Sequence, residues 1–256
     1  MTDREEEWWK DFHLPEMGDV LLQRSEDQLS QTLDFLKGEL ALRPGNHIFD
    51  QCCGIGSLSL PLAQEGLRVT GCDLFEPYIA RAKRDAADLP SGSTEFYCAD
   101  AFEYTPKRSC EAAFNWYSSF GYAANDAVNQ QMLDRAFESL KPGGKFALDV
   151  PSVPYLLRNF NPVMVQQGVS QGRSVRIQRT SEIEFSSGLL KQKWLWEIEG
   201  EGRVERRSAM KIYMPNRITE LLANSGFKRI RLFGDTGGGE YQMESPRLLV
   251  VAEKEQ

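Results

Sequence analysis

The sequence predicts an α/β fold with a doubly wound, seven-stranded sheet and an antiparallel β insertion after strand 5. Three observations predict it. Short apolar segments alternate with helical segments between residues 47 and 150. Acidic residues follow several of these apolar segments, at the edge where a parallel sheet binds ligands. From residue 151 the helical spacing gives way to alternation of apolar and polar residues, which is typical of antiparallel strands.

The helices and strands of the first 150 residues are predicted from apolar spacing and turn residues. A helix is predicted over 26–40, and Arg43-Pro44-Gly45-Asn46 ends it in a turn. Strands are predicted over 47–50, 67–73, 94–98, 112–116 and 145–150. The helices between them are predicted over 57–65, 77–87 and 127–140.

The remainder is predicted to form a meander and then to return to the main sheet. Meander strands are predicted over 174–185, 189–199 and 204–214, followed by a helix over 217–224 and strands over 228–233 and 247–253. This divides the chain into four segments. They are an N-terminal lid and helix (1–35), a ligand-binding core (36–150), the insertion (151–215) and the return to the core (216–256).

Composition and charge argue against several classes of partner. The 256 residues carry a net charge of −7 without a Lys/Arg run, so we expect no nucleic-acid partner. No segment approaches the roughly 18 apolar residues of a membrane span, and the acidic start lacks the apolar core of a signal peptide. Five cysteines without a CxxC pair and only two histidines indicate reduced thiols and no metal site. We therefore expect a cytoplasmic protein that does not bind membranes.

The stretch Ile48–Ser57 is the most informative part of the chain. It combines a short strand, the acidic Asp50 and a small-residue turn that opens a helix. Missing side chains at Gly54 and Gly56 let backbone N–H groups approach a nucleotide-type ligand. A dinucleotide fingerprint fits poorly, because Ser59 stands where its third glycine is expected.

Two acidic residues downstream narrow the ligand. Asp73 ends the second strand, where its carboxylate can accept hydrogen bonds from both ribose hydroxyls. This placement suits NAD and other adenosyl ligands alike. Asp100 follows the third strand, where an adenine amino group can lie between apolar neighbours.

Together these residues resemble the class I S-adenosylmethionine-dependent methyltransferases. The family's first motif, an acidic residue before a small-residue turn, stands here as Asp50–Gly56, and Leu140–Phe146 is similar to its turn before strand five. Asn115–Tyr122 and Ser245–Lys254 resemble the branch that methylates N or O atoms of small molecules. The resemblance covers roughly residues 20–150 and 205–254, and it implies a Rossmann-like fold with S-adenosylmethionine as cofactor.

The resemblance implies roles for the cofactor side. Asp73 would accept the ribose hydroxyls, and Arg24, predicted on the helix before strand one, would pair with the cofactor carboxylate. Cys52 departs from the family, because it fills the position of the first loop glycine and its Cβ narrows the approach to the methionine portion. Helix capping by Asp73 and a solvated Arg24 are the structural alternatives. The cofactor candidates are Trp9, Arg24, Asp50, Cys52, Gly54, Asp73, Leu74, Asp100, Ala101, Phe102 and Asn115.

The acceptor side is predicted from residues near the transferable methyl group. Tyr117 and Tyr122 follow strand four, and Asp149 ends strand five facing the same cleft. Trp194 and Trp196 share one face of the meander, with simple sheet packing as the alternative. The substrate candidates are Tyr117, Tyr122, Trp194, Trp196, Tyr213 and Tyr241, and the candidate catalytic groups are Tyr117, Asp149 and His13.

The sequence therefore predicts methyl transfer to a small-molecule amine or hydroxyl. An amine is slightly favoured, because no His/Asp pair is evident to deprotonate a hydroxyl. The alternatives are an NAD(P)-dependent oxidoreductase and a non-catalytic module that binds S-adenosylmethionine. The identity of the acceptor stays open, and a homo-oligomer is compatible with the sequence.

Overall fold

A central sheet and a separate antiparallel sheet form the frame of the computed structural model, which describes residues 7–90 and 92–255. The first six residues of the predicted lid lie outside the described residues. The strands are β1 (His47–Gln51), β2 (Arg68–Asp73), β3 (Thr94–Cys98), β4 (Cys110–Asn115), β5 (Leu140–Pro151), β6 (Val163–Ser170), β7 (Arg173–Glu184), β8 (Leu189–Ile198), β9 (Gly202–Lys211), β10 (Lys228–Phe233) and β11 (Arg247–Glu253).

Helices cover the central sheet and connect its parallel strands. They are α1 (Pro15–Val20), α2 (Glu26–Glu39), α3 (Ser59–Gln64), α4 (Glu76–Asp85), α5 (Asp126–Ser139), α6 (Val153–Arg158) and α7 (Pro215–Asn224), with a single 3₁₀ turn over Trp8–Lys10. The start of α2 is fixed by a capping box, in which Ser25 and Gln28 each accept the other's backbone N–H. No helix among the described residues is long and apolar enough to cross a membrane, and the cytoplasmic location stays a prediction.

The central sheet has the strand order β10-β11-β5-β4-β1-β2-β3. The strands β1 to β5 run parallel, and β11 pairs antiparallel with β5 and β10. Strand β1 is buried along its whole length, as expected for a strand covered by helices on both faces. The predicted α/β class, the seven strands and the insertion after strand five are confirmed, and the strand order reverses between β1 and β4, where doubly wound sheets bind ligands.

The insertion has four strands, ordered β6-β7-β8-β9, where the sequence predicts three. The omitted strand, β6, alternates weakly and contains a glycine. A Cβ on Gly168 would lie 2.9 Å from Val20 Cγ1, so the missing side chain lets α1 pack against this strand. The glycine that weakens the strand pattern is thus required by the packing.

The N-terminal segment, residues 8–20, joins the two sheets. Asp19 accepts hydrogen bonds from Arg81 on α4 at 2.5 Å and from Ser170 on β6 at 2.7 Å. Trp8 Nε1 lies 3.0 Å from the backbone carbonyl of Tyr122, after β4 of the central sheet, and 3.0 Å from that of Ala209, on β9 of the insertion. These contacts hold the insertion over the carboxyl ends of the parallel strands.

Candidate active site

A cavity of about 550 Å³ lies between the carboxyl ends of the parallel strands and one face of the insertion. The residues that line it come from the N-terminal segment, the loops after β1, β2 and β4, the end of β5 with the α6 region, and strands β6 to β9. Its volume is in the range that proteins use for small-molecule ligands. The topology thus brings the loop after β1 and the meander to the same space.

The loop after β1 holds a backbone conformation that glycine favours. Gly54 has φ +55° and Gly56 has φ +81°. The Gly54 N–H donates to Asp73 Oδ2 at 3.0 Å, and the Phe75 N–H donates to Asp73 Oδ1 at 3.0 Å. Asp73 therefore braces the loop from β2, and it lines the cavity. Each carboxylate oxygen can accept a second hydrogen bond, so the side chain keeps acceptor capacity for a ligand.

Asp50 lies at the buried base of this loop. It is almost fully buried, lines the cavity, and accepts a hydrogen bond of 2.6 Å from the Ser59 hydroxyl at the start of α3. Burial raises the pKa of the Asp50 carboxyl to about 7, because loss of water disfavours the charged form. A cationic ligand group nearby would favour its ionised form.

Cys52 occupies the position at which the methyltransferases that the sequence resembles have their first loop glycine. Its φ is +67°, the left-handed region that glycine adopts without strain. Holding an L-residue there costs about 1 kcal/mol. The thiol lines the cavity, and burial raises its pKa well above the usual range, so it is neutral. The backbone conformation of the motif is therefore retained, and only the Cβ and the thiol are added.

Asn115, at the end of β4, carries a polar atom that the protein does not satisfy. Gln51 donates to the Met132 carbonyl at 3.0 Å, which leaves its Oε1 to accept from Asn115 Nδ2 at 3.2 Å. This orients the Asn115 amide, and its buried Oδ1 has no hydrogen-bond partner in the described structure. The Cys52 sulfur lies 3.8 Å from Asn115 Nδ2. Asn115 is fully buried and does not line the cavity, so the structure places it behind the loop and not in contact with the ligand space.

The predicted position of Arg24 on a helix is wrong. The sequence places it on a helix, but it lies in the loop before Ser25, the first cap residue of α2. Its Nη1 donates to the carbonyls of Leu21 at 2.6 Å and Gln23 at 2.8 Å, and its guanidinium lies 4.2 Å from the centroid of the Tyr117 ring. It lines the cavity beside the cofactor loop.

His13 lines the cavity on the side of β2, away from the insertion. Its ring lies 5.8 Å from the rings of Phe75 and Tyr78, measured between centroids. Burial lowers the pKa of His13, and the neighbouring Asp73 opposes that shift. A neutral His13 thus faces the predicted ribose position rather than the predicted acceptor, which counts against it as the catalytic base.

The predicted adenine-packing residues do not line the cavity. Ala101 and Phe102 are buried, Leu74 is partly buried, and all three belong to one apolar cluster with Trp9. The Trp9 ring lies 5.3 Å from the Phe102 ring, so the indole covers the residues expected to contact adenine. Asp100 is likewise outside the cavity lining, and its Oδ1 accepts from the Phe102 N–H at 3.0 Å. Trp9, itself a predicted cofactor residue, also lies outside the cavity lining, and its contact with Phe102 could not be predicted because the two residues lie far apart in the chain.

The prediction that Asp149 faces the cleft is wrong. It is 2% exposed, and its carboxylate is bound by Arg247 Nε at 2.6 Å and by the Tyr117 N–H at 3.0 Å. The cavity lining includes Arg247 but not Asp149. Both oxygens of this buried carboxylate are already bound, so Asp149 instead positions Tyr117 and β11.

Three further substrate candidates do not line the cavity. Trp196 is fully buried beneath α1, Tyr213 is bound by Asn129 and Asp126, and Tyr241 is bonded to the Ser152 hydroxyl at 2.8 Å. The alternative of sheet packing is therefore correct for Trp196. Tyr117, Tyr122 and Trp194 do line the cavity.

The residues that surround Trp194 on the inner face of the insertion were not predicted from the sequence as part of the site. In register, Arg179 on β7 lies opposite Trp194 on β8, and Ser181 lies opposite Gln192. Trp194 Nε1 donates to Ser208 Oγ at 3.1 Å, and Gln192 Nε2 donates to Ser181 Oγ at 3.2 Å. The two-residue period of each strand was the available signal, because it assigns these side chains to the face of Trp194.

Comparisons with known proteins agree with this geometry. Residues 48–144 match the family described as "Methyltransferase domain". The S-adenosyl-L-methionine-dependent Diels-Alderase iccD of Talaromyces variabilis is 32% identical over 199 residues, which are 75% of this chain and 63% of that protein. The chain therefore spans slightly less than two thirds of this relative.

Two solved structures have the same fold. An S-adenosylmethionine-dependent methyltransferase from Clostridium acetobutylicum superposes with a TM-score of 0.76 at 16% identity, covering 92% of this chain and 95% of the other. The sugar N-methyltransferase KedS8 from Streptoalloteichus superposes with a TM-score of 0.73 at 16% identity, covering 92% and 90%. At this identity the likeness concerns the fold, and it includes the insertion as well as the central sheet.

Proposed function

We propose, from the premise that this chain belongs to the class I S-adenosylmethionine-dependent methyltransferases, that it methylates a small-molecule acceptor with S-adenosylmethionine as donor. The observation that carries the proposal is the loop after β1, which is hydrogen-bonded through Gly54 to Asp73 and opens into the cavity. Residues 36–150 and 216–256 would hold the cofactor. Residues 151–215 would form the acceptor pocket, which the segment 1–35 closes.

The residues present fit this cofactor. A Cβ on Gly54 would point at Leu22, 3.4 Å from its Cδ1, so the glycine leaves a narrow cradle open. The Asp73 carboxylate, which lines the cavity, would accept from the ribose hydroxyls. Arg24 would pair with the cofactor carboxylate.

When bound, S-adenosylmethionine supplies a methyl group on a sulfonium with a good leaving group. The chain's own task is then to align the acceptor and exclude water. Trp8 and Phe12 of the N-terminal segment would close the cavity, and Tyr117 and Tyr122 would flank the approach to the methyl group. The Trp194–Ser208–Gln192 network would orient the acceptor from the opposite wall.

The acceptor is proposed to be an amine or a group that is already acidic. Among the described residues that line the cavity, the carboxylates are Asp50 and Asp73, and both lie at the cofactor end. The acceptor end therefore offers phenol hydroxyls but no carboxylate base. Burial raises the pKa of both Tyr117 and Tyr122, so the deprotonated form that could act as a base is scarce at neutral pH.

The same observation supports a second candidate function. A pericyclic reaction needs no proton transfer, and the relative from Talaromyces variabilis is described as an S-adenosyl-L-methionine-dependent Diels-Alderase. In this second candidate the cofactor would serve as a fixed cation and would not be consumed. The likenesses reported above favour S-adenosylmethionine over NAD(P) and so weigh against an oxidoreductase.

Binding and turnover of the full chain separate these candidates. We expect calorimetry to detect S-adenosylmethionine and S-adenosylhomocysteine but not NADH. Incubation with amino sugars, arylamines and aromatic acids should then release S-adenosylhomocysteine in a one-to-one ratio with methylated product. A cofactor that is required but not consumed would favour the pericyclic reaction, and binding of NADH alone would contradict both.

A further inference from the structure

We propose that the acceptor carries a carboxylate and that Arg179 of the insertion binds it. This inference deepens the proposed function and rests on it. Arg179 lies in the middle of β7, between Met164 on β6 and Trp194 on β8 in register, and its side chain lines the cavity.

Arg179 has no carboxylate partner among the described residues, whereas several other arginines of the insertion have one. Those on the outer surface form ion pairs with carboxylates: Arg173 with Glu16 and Glu201, Arg176 and Arg203 with Glu197, and Arg207 with Glu205. For Arg179 no ion pair is found among the described residues. Its Nη2 contacts the Met164 sulfur at 2.6 Å, and its guanidinium lies 5.1 Å from the centroid of the Trp194 ring.

The remaining donors of Arg179 are not satisfied by the protein. Its Nε is buried without a hydrogen-bond partner in the described structure. Burial lowers the pKa of the guanidinium, with no carboxylate to oppose it, although an arginine stays charged at neutral pH. A guanidinium whose buried Nε–H has no acceptor among the described residues gains a charge-assisted hydrogen bond when a ligand supplies an anion.

The distribution of charge along the cavity indicates where that ligand lies. Asp50 and Asp73 make the cofactor end acidic, which suits the ammonium and sulfonium of the donor. Arg247 is already paired with Asp149, and Arg24 lies at the cofactor loop. Away from the cofactor loop, Arg179 is thus the arginine of the cavity lining that has no ion pair among the described residues. Arg206, opposite Trp194 on β9, has none either, but it lies outside that lining.

A carboxylate fits this cation better than a phosphate. A single guanidinium balances one negative charge, and its planar donors match the two oxygens of a carboxylate. The wall beside it combines apolar side chains with a few polar ones. The apolar side chains are Met164, Leu190, Trp194 and Met210, and the polar ones are Ser181, Gln192 and Ser208, so the body of the acceptor would be mainly apolar or aromatic. A dianionic phosphate would bring a second charge without a second cation.

The test compares acids with their neutral amides on the full chain saturated with S-adenosylhomocysteine. The probes are benzoate, phenylacetate and indole-3-acetate, each paired with its amide, and binding is measured by calorimetry. We expect at least one acid to bind about tenfold more tightly than its amide, as for a charge-assisted hydrogen bond. Arg179→Met should abolish that preference while amide binding stays the same, and Arg179→Lys should keep part of it.

Two controls make the outcome decisive. Arg176→Met removes an arginine of the same strand that faces outward and pairs with Glu197, so it should bind the probes like the wild type. S-adenosylhomocysteine affinity and a cooperative melting transition should be unchanged in Arg179→Met. Failure of the wild type to bind S-adenosylhomocysteine would remove the proposed function itself. Binding of S-adenosylhomocysteine without any acid preference, or with a preference that survives Arg179→Met, would overturn the role of Arg179 alone.

Discussion

The two walls of the cavity are built in different ways. The cofactor wall consists of loop backbone and two carboxylates at the ends of β1 and β2, held by hydrogen bonds such as Gly54 N–H to Asp73. The acceptor wall consists of side chains that project from antiparallel strands, with Arg179 and Trp194 at its centre. In the proposed function, one wall would bind its ligand through main-chain geometry, and the other through side chains on a fixed frame.

This difference teaches where specificity can change. Exchanging residues on β7 to β9 alters the acceptor wall without disturbing the central sheet, because the insertion carries its own hydrogen-bond ladder. The two walls meet through the apolar cluster beneath α1, in which Trp196 packs with Met17, Ile55 and Tyr78. If the walls are separable, substitutions in this joint should mainly affect stability, and substitutions in either wall should change the binding of that wall's ligand only.

The largest effect is expected for Trp196→Ala. Trp196 is fully buried in the joint between the insertion and the core. Removing such a side chain leaves a cavity and costs about 3–5 kcal/mol in the free energy of unfolding. Denaturant unfolding followed by tryptophan fluorescence and circular dichroism should report this loss.

Trp194→Ala is the matched control two residues away. This indole is half-buried, lines the cavity and has one hydrogen bond, to Ser208, so its removal should cost about 1 kcal/mol. Equal losses for the two variants would contradict the division between a structural and a pocket tryptophan.

The second effect concerns the cofactor wall. Asp73→Ala removes both the brace on Gly54 and the acceptors for the ribose hydroxyls, so S-adenosylhomocysteine should bind about 100-fold more weakly. Asp73→Asn keeps one oxygen and should lie between the two. Affinities are read by calorimetry.

Asp85→Ala provides the surface control, since Asp85 contacts Arg81 on the exposed side of α4. It should leave the affinity unchanged. If Asp73→Ala also binds S-adenosylhomocysteine as the wild type does, Asp73 is a structural brace and not a ligand.

The sequence could predict the cofactor wall better than the acceptor wall for a physical reason. Parallel strands with buried faces and small-residue turns leave local signatures, so the seven strands and the position of Asp73 follow from short segments. Asp149 also stands at a strand end, but its partner Arg247 lies 98 residues away in the chain. No local pattern in the sequence indicates that Arg247 pairs with this carboxylate.

The acceptor wall depends on which faces meet in space. Trp194 and Trp196 lie on the same face of β8, yet α1 covers one and the cavity borders the other. Likewise, Trp9 covers Phe102 because the N-terminal segment folds back over the end of β3. Such covers are set by tertiary packing between distant segments, which the two-residue period of a strand cannot indicate.

The smallest effect is expected at Cys52, where the cofactor wall departs from its family. Cys52→Gly removes a Cβ from a residue with φ +67°, which relieves about 1 kcal/mol of strain. The greater freedom of glycine in the unfolded chain offsets roughly 0.5–1 kcal/mol of that gain, so the melting temperature should hardly change. Without the Cβ the loop approaches the methionine portion more closely, and S-adenosylhomocysteine should bind about threefold more tightly, or about 0.7 kcal/mol. Cys52→Ala keeps the Cβ and should bind like the wild type, so a matching gain in the alanine variant would assign the effect to the thiol beside Asn115.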